Sequence, residues 1–324
     1  MADADAPAPG PTRWGRSAQL RASSGSGPPS RTARPLPDSP QALADLLRGV
    51  DYIASEALAT AVFLAVRMGK PLLLEGLPGV GKTEAAKALA SCLARQVIRL
   101  QCYEGIDAAN ALYEWNYPRQ LLAIRQAGER DLDLYTPEYL IERPLLRALR
   151  QASYSVLLLD EIDRADQEFE AYLLEFLADF QISIPELGTQ SSAVPPLVVL
   201  TSNRTRELHE ALRRRCVYHW IDYPSPEQEA QIIALRAGEV ARATAQAVVA
   251  AVNAFRAQPL AKPPGIAEAV DWARAATLLA AGGLPWPLAF RRAIGLALKD
   301  EDDLAISTAV LDEVMPEQSA ETAR

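Results

Sequence analysis

Five short apolar runs recur along the chain: Leu72-Leu73-Leu74, Val97–Leu100, Val156–Leu159, Leu197–Leu200 and Val217–Ile221. Each is bounded by polar or turn-forming residues, and the segments between them carry apolar residues at helical spacing. Short buried strands alternating with helices predict an α/β fold, with a parallel five-stranded sheet between two helical layers. Order is expected to begin at Ser39-Pro40, a capping residue followed by proline in the first helical turn. A helical reading continues through Leu46, Leu47, Ile53, Leu58 and Phe63. Gln181 to Gly188 reads as a strand of a β-hairpin. After Tyr223-Pro224 the texture changes. Ser225-Pro226-Glu227-Gln228 has the form of a capping box, and only helical patterns follow to about Leu311, interrupted at 258–265 and 282–287. The predicted organisation is a tail over 1–38, an α/β core over 39–224 with an insert at about 103–150, and a helical lid over 225–324 whose C-terminal end frays.

Composition narrows this. Residues 1–37 are rich in Pro, Ala, Gly and Ser and cannot bury enough surface to offset the entropy of ordering, so this tail is expected to be disordered. The 324-residue chain carries 33 Lys+Arg against 41 Asp+Glu, a net charge of −8. Five arginines against three aspartates lie in residues 1–38, leaving −10 for the rest. Such a balance argues against a protein that coats nucleic acid. Three scattered cysteines form no disulfide framework and fit a reducing compartment. With two histidines in all, a histidine-based metal site is not expected. No run of 18 apolar residues occurs, and the N-terminus lacks the apolar stretch of a secretory signal, so a cytoplasmic location is expected.

The chemistry gathers at strand ends. Gly76-Leu77-Pro78-Gly79-Val80-Gly81-Lys82-Thr83 fits the phosphate-binding pattern G-x-x-x-x-G-K-[ST], and Glu84 follows it in the next helix. Its glycines let backbone N–H groups turn toward phosphate oxygens. Lys82 adds charge at the outer phosphates, and the Thr83 hydroxyl is a ligand for Mg²⁺. Val156–Leu159 delivers Asp160 and Glu161 to the C-terminal edge of the sheet, where ligands of open α/β sheets bind. Asp160 is expected to hold Mg²⁺ through water, and Glu161 to activate the attacking water. A third strand ends in Asn203, suited to sensing the γ-phosphate or holding that water. Arg213-Arg214-Arg215 precedes the last strand. It reads either as a solvated basic face or as an arginine finger for a neighbouring subunit, with Arg215 ahead of Arg214.

These motifs, in this order and with a helical domain behind them, resemble the AAA+ ATPases, and more narrowly the MoxR family. The segments PLLLEGLPGVGKTEAAKALA (71–90), LLLDEIDRADQEFEAYLLEFL (157–177) and TSNRTRELHEALRRRC (201–216) carry that resemblance. LQCYEGIDAANALYEWNYPRQLLAIR (100–125), HWIDYPSPEQE (219–229) and KPPGIAEAVDWARA (262–275) resemble the branch that includes the carbon-monoxide dehydrogenase accessory ATPase. The resemblance implies an ATP- and Mg²⁺-dependent, chaperone-like machine, a homo-hexamer, that matures the metal cofactor of a client enzyme. It also implies a partner with a von Willebrand factor A domain, and Gln181–Gly188 resembles the hairpin such machines carry ahead of the sensor asparagine. Two departures bear on nucleotide sensing. The stretch Gly265-Ile266-Ala267-Glu268 lacks the arginine that many lids place there, with Arg274 and then Arg291 as substitutes. Asp163 stands where many relatives have asparagine. In the insert, Tyr103, Tyr113, Trp115 and Tyr117 beside Glu104, Asp107 and Glu114 read either as an anchor to the core or as a partner-facing surface. The rival functions are a nucleic-acid-directed AAA+ motor or loader and a slow nucleotide-gated scaffold.

Overall fold

The computed structural model describes residues 34–128, 131–238 and 240–314. Most of the tail and the C-terminal end lie outside the described residues. The chain opens with helices α1 (Pro40–Arg48) and α2 (Glu56–Met68), capped by the hydroxyls of Ser39 and Ser55. The expected continuous helix is broken between them, and Ile53 lies in the connecting loop. Gly49 ends α1, Asp51 takes a left-handed conformation at φ 61°, and Ser55 restarts the helix. Then come β1 (Leu72–Gly76), α3 (Lys82–Cys92) and β2 (Gln96–Gln101). The insert follows as α4 (Ala108–Ala111), β3 (Tyr113–Trp115), α5 (Tyr117–Ala127), β4 (Leu140–Glu142) and α6 (Pro144–Arg150). The core resumes with β5 (Ser155–Asp160) and α7 (Gln167–Asp179), passes through a hairpin of β6 (Gln181–Ile184) and β7 (Gly188–Ser191), and finishes with β8 (Leu197–Ser202), α8 (Glu210–Arg215) and β9 (Val217–Ile221).

The five predicted strands form one parallel sheet in the order β2-β5-β8-β1-β9. β1, β5 and β8 are buried along their whole length, which is why each reads as an unbroken apolar run rather than an alternating one. One face packs Leu73, Leu157, Leu159, Val198 and Leu200 toward α6, α7 and the insert. The other packs Leu72, Leu74, Val156, Leu158 and Val199 toward α1, α2 and α3. All three site-bearing strands therefore end on one edge of the sheet, with β8 between β1 and β5.

The helical part comprises α9 (Pro226–Arg236), α10 (Arg242–Arg256), α11 (Ile266–Ala281), α12 (Trp286–Arg292), α13 (Glu301–Ala305) and α14 (Ser307–Val314). Ser225 and Gln228 form the capping box that starts α9. These helices enclose an apolar core of their own around Phe255, Trp272 and Phe290. The Trp272 ring lies 6.1 and 5.3 Å from the other two, and its Nε1 donates to the Phe290 carbonyl at 3.0 Å. Among the described residues no helix is long and apolar enough to cross a membrane.

Candidate active site

The turn after β1 needs its glycines for two separate reasons. A Cβ at Gly76 would lie 2.2 Å from the Ile221 carbonyl oxygen, so β9 closes on β1 only without a side chain there. Gly79 and Gly81 have φ of 78° and 95°, the left-handed region that glycine enters without steric cost. The loop then feeds directly into α3, whose N-terminus and free amides face the cleft. Lys82 is buried and donates through Nζ to the Gly76 and Leu77 carbonyls at 2.8 and 2.7 Å. Burial pulls its pKa down to about 8, against the opposing pull of the Asp163, Asp160 and Glu161 carboxylates.

Asp160 lies at the centre of a hydrogen-bond cluster. Its Oδ1 accepts from Thr83 Oγ1 at 2.9 Å and Thr201 Oγ1 at 2.5 Å, and its Oδ2 accepts from Arg99 Nε at 2.9 Å and Nη2 at 2.5 Å. Glu161 is held in a left-handed conformation, φ 56°, with its N–H donating to Thr201 Oγ1 at 3.0 Å. Its carboxylate Oε2 takes Gln101 Nε2 and Arg164 Nε, each at 3.0 Å. A non-glycine residue in that conformation is uncommon and persists where surrounding contacts enforce it. Here it turns Glu161 out of the strand direction. Asp163, the departure noted in the sequence, accepts from the N–H groups of Asn203 and Thr205 at 3.2 and 2.9 Å and from Thr205 Oγ1 at 2.7 Å. Burial would raise its pKa, but the hydrogen bonds from Thr205 and Asn203 outweigh that and leave it below the usual carboxylate range. An ionised Asp163 therefore fastens the loop that carries Asn203.

A cleft of about 590 Å³ brings together Pro78, Gly79, Gly81, Lys82, Thr83, Glu84, Asp160, Glu161, Asn203 and Arg274. Val80 lines the adjoining cavity of about 270 Å³ with Tyr52, Ile53, His219 and Tyr223, and the two spaces share Gly81, Glu84, Arg236 and Ile266. Of the two lid arginines considered, Arg274 lines the cleft, whereas Arg291 pairs with Asp312 at 2.5 Å and is not part of its lining. Arg214 and Arg215 also stand away from it. Arg214 pairs with Glu210, Arg215 donates to the Leu174 carbonyl, and Arg213 lies 3.8 Å from the buried Glu75.

Several site residues carried no sequence signal. Arg99 and Gln101 are polar positions on an edge strand. Arg236 pairs with Glu84 at 2.8 Å across the gap between lid and core. The most intimate lid contact is backbone: Ile266 N–H donates to the Gly79 carbonyl at 3.0 Å. A Cβ on Gly265 would sit 2.7 Å from Gly79 Cα. Gly265→Ala is therefore expected to push the lid off the phosphate loop and weaken nucleotide binding about tenfold or more, a loss of at least ~1.4 kcal/mol. Titration with a fluorescent ADP analogue reads this, and wild-type affinity would show that the contact is dispensable. In the insert, Trp115 is buried against Tyr113 and Tyr135, with ring centroids at 6.3 and 5.3 Å. It anchors the insert, while Tyr103 and Tyr117 are exposed.

The donor set suits a hard divalent cation: a hydroxyl and a carboxylate converge beside the phosphate loop. Among the described residues no group of three or more His, Cys, Asp or Glu side chains is placed to hold a metal ion.

A family model described as "AAA domain (dynein-related subfamily)" matches residues 71–216. Protein NorQ of Paracoccus denitrificans is 28% identical over 175 residues, covering 52% of this chain and 58% of that protein. The denitrification regulatory protein NirQ of Pseudomonas aeruginosa is 27% identical over 199 residues, covering 59% and 69%. Chaperone MoxR1 of Mycobacterium tuberculosis is 28% identical over 172 residues, covering 50% and 39%. The matched stretch thus spans less than two thirds of NorQ's own length.

Proposed function

We propose that this chain, which belongs to the AAA+ ATPases and has relatives of the MoxR kind, binds ATP with Mg²⁺ in the cleft and hydrolyses it to drive chaperone-like remodelling of a client protein. The observation that carries this reading is the Thr83–Asp160 hydrogen bond, 77 residues apart in sequence, in one cleft with Lys82, Glu161 and Asn203. Lys82 and the N-terminal amides of α3 hold the outer phosphates. Thr83 and, through water, Asp160 hold Mg²⁺, which when bound neutralises charge on the phosphate oxygens. Glu161 orients the attacking water and accepts its proton, and Asn203 fixes the water or the γ-phosphate from the neighbouring strand. The adjoining cavity beside Tyr52, Ile53 and Tyr223 is the place for the base.

Arg215, with Arg214 beside it, acts on the site of a neighbouring subunit in a ring, in keeping with the position of both outside their own cleft. We further propose a hexamer, a von Willebrand factor A-type partner, and as client a metalloenzyme such as a molybdenum-containing carbon-monoxide dehydrogenase-like protein. The exposed Tyr117, Leu121, Leu122 and Ile124 of α5 give a partner an apolar surface, whereas the buried Trp115 does not.

Mixing tests the ring. Arg215→Ala and Glu161→Gln are each expected to slow turnover about 100-fold or more alone. Co-assembled, they are expected to recover part of it, because some interfaces then join an intact Glu161 to an intact Arg215. Phosphate release that stays flat at every mixing ratio would remove the trans finger.

A further inference from the structure

The Asp160 carboxylate offers roughly four acceptor directions, and four hydrogen bonds already meet it. Thr83 and Thr201 hydroxyls take Oδ1, and the two nitrogens of Arg99 take Oδ2. Three of these groups are fixed from within the fold. Asp160 and Thr201 are buried on adjacent strands, and Thr83 lies in the first turn of α3. Arg99 differs. It reaches across from β2, where it is in register with Leu158, and its side chain is 51% exposed against 3% for Asp160. It alone can leave Asp160 by side-chain rotation into solvent. Its guanidinium is permanently charged and holds the carboxylate through a two-pronged contact.

From this geometry we propose that Arg99 sets the magnesium dependence of nucleotide binding. The proposal rests on the reading above, in which Asp160 serves the magnesium site. A cation on Oδ2 has two consequences of the same sign. It offsets the negative charge that Asp160 presents to phosphates, so nucleotide without metal binds better than it otherwise would. It also repels a second cation at the same carboxylate and competes for its lone pairs, so adding metal improves binding less. Arg99 therefore narrows the difference between metal-free and metal-loaded nucleotide. It is a positioning residue that acts through Asp160, and neither the phosphate loop nor the strand ending in Asp160-Glu161 announces it.

The test uses the full chain and a fluorescent ADP analogue, titrated once in EDTA and once in saturating MgCl₂. The readout is the ratio of the two dissociation constants, which requires no turnover. Arg99→Gln is expected to raise that ratio about tenfold, by weakening binding in EDTA and strengthening it in magnesium. Arg99→Lys keeps the charge but loses the two-pronged contact, and is expected to shift the ratio clearly less than Arg99→Gln does. It also provides a reading if the glutamine variant fails to fold. An unchanged or reduced ratio in Arg99→Gln overturns the proposal, and so does a Lys variant that shifts as far as a loss of charge should. Asp160→Asn separates this from the underlying assignment. If it leaves the wild-type ratio intact, Asp160 does not serve the metal and the reading of the site fails. If it collapses the ratio while Arg99→Gln does nothing, only the role of Arg99 is lost.

Discussion

Lys82→Ala is expected to abolish measurable nucleotide binding, weakening it at least ~100-fold, since in the proposed reading the lysine supplies a charge-assisted contact to phosphate in a partly desolvated cleft. The same residue makes binding sensitive to pH. Burial lowers the Lys82 pKa to about 8, so above that pH the protein alone holds a neutral amine. Phosphate favours the charged form, so binding there must take up a proton. Affinity should fall as pH rises through 8. Stability responds with the opposite sign. The unfolded chain, with its ordinary lysine pKa near 10.4, binds more protons than the folded one between about pH 8 and that value. The contribution of this group to stability therefore rises with pH across that window. Affinity and melting temperature measured on one pH series should move in opposite directions. Affinity that stays level from pH 7 to 9.5 would mean that Lys82 is not the group in contact with phosphate.

Glu161→Gln should bind nucleotide as tightly as wild type and turn it over about 10²–10⁴ times more slowly, the usual contribution of a positioned base. Glutamine has the size of glutamate and still fits between Gln101 and Arg164, which now meet Glu161 Oε2 at 3.0 Å. It cannot accept a proton from water. Equilibrium binding and phosphate release measured side by side separate the two roles. Wild-type turnover in this variant would place the base elsewhere, and a loss of binding as large as that of Lys82→Ala would mean the residue is structural. The left-handed backbone at Glu161 adds a constraint: a variant that kept the charge but moved it, such as Glu161→Asp, should also be slow, because the carboxylate would no longer reach the same point.

Much of the fold was legible because strands buried on both faces have no polar positions to obscure them. Leu72–Leu74, Val156–Leu159 and Leu197–Leu200 each stand out as unbroken apolar runs, and each falls in a central strand. The break at Gly49–Ser55 was not legible, since apolar residues on either side kept helical spacing while Asp51 turned left-handed between them. Trp115 was ambiguous for a different reason. An aromatic beside acids suits an interface as well as an anchor, and only its burial in one apolar cluster with Leu100, Leu157 and Leu159 of the sheet decides for the anchor.

The sequence by itself brought forward the groups whose proposed chemistry needs contiguous residues. A phosphate loop must be a short run of glycines leading into Lys82 and Thr83, because one turn of backbone has to surround the anion. A strand must end in Asp160 and Glu161 to present both at the sheet edge. Tertiary structure alone decided what reaches these groups from elsewhere. Arg99 comes to Asp160 from a neighbouring strand 61 positions earlier. Arg236 comes to Glu84 from the lid, and the Ile266 N–H comes to the Gly79 carbonyl. Arg274 rather than Arg291 lines the cleft because of how α11 is oriented against the loop. Such contacts are set by strand order and by the approach of one helix to a turn. Among the described residues those follow from burying three separate apolar clusters, and no local pattern around an arginine records where that burial will carry it.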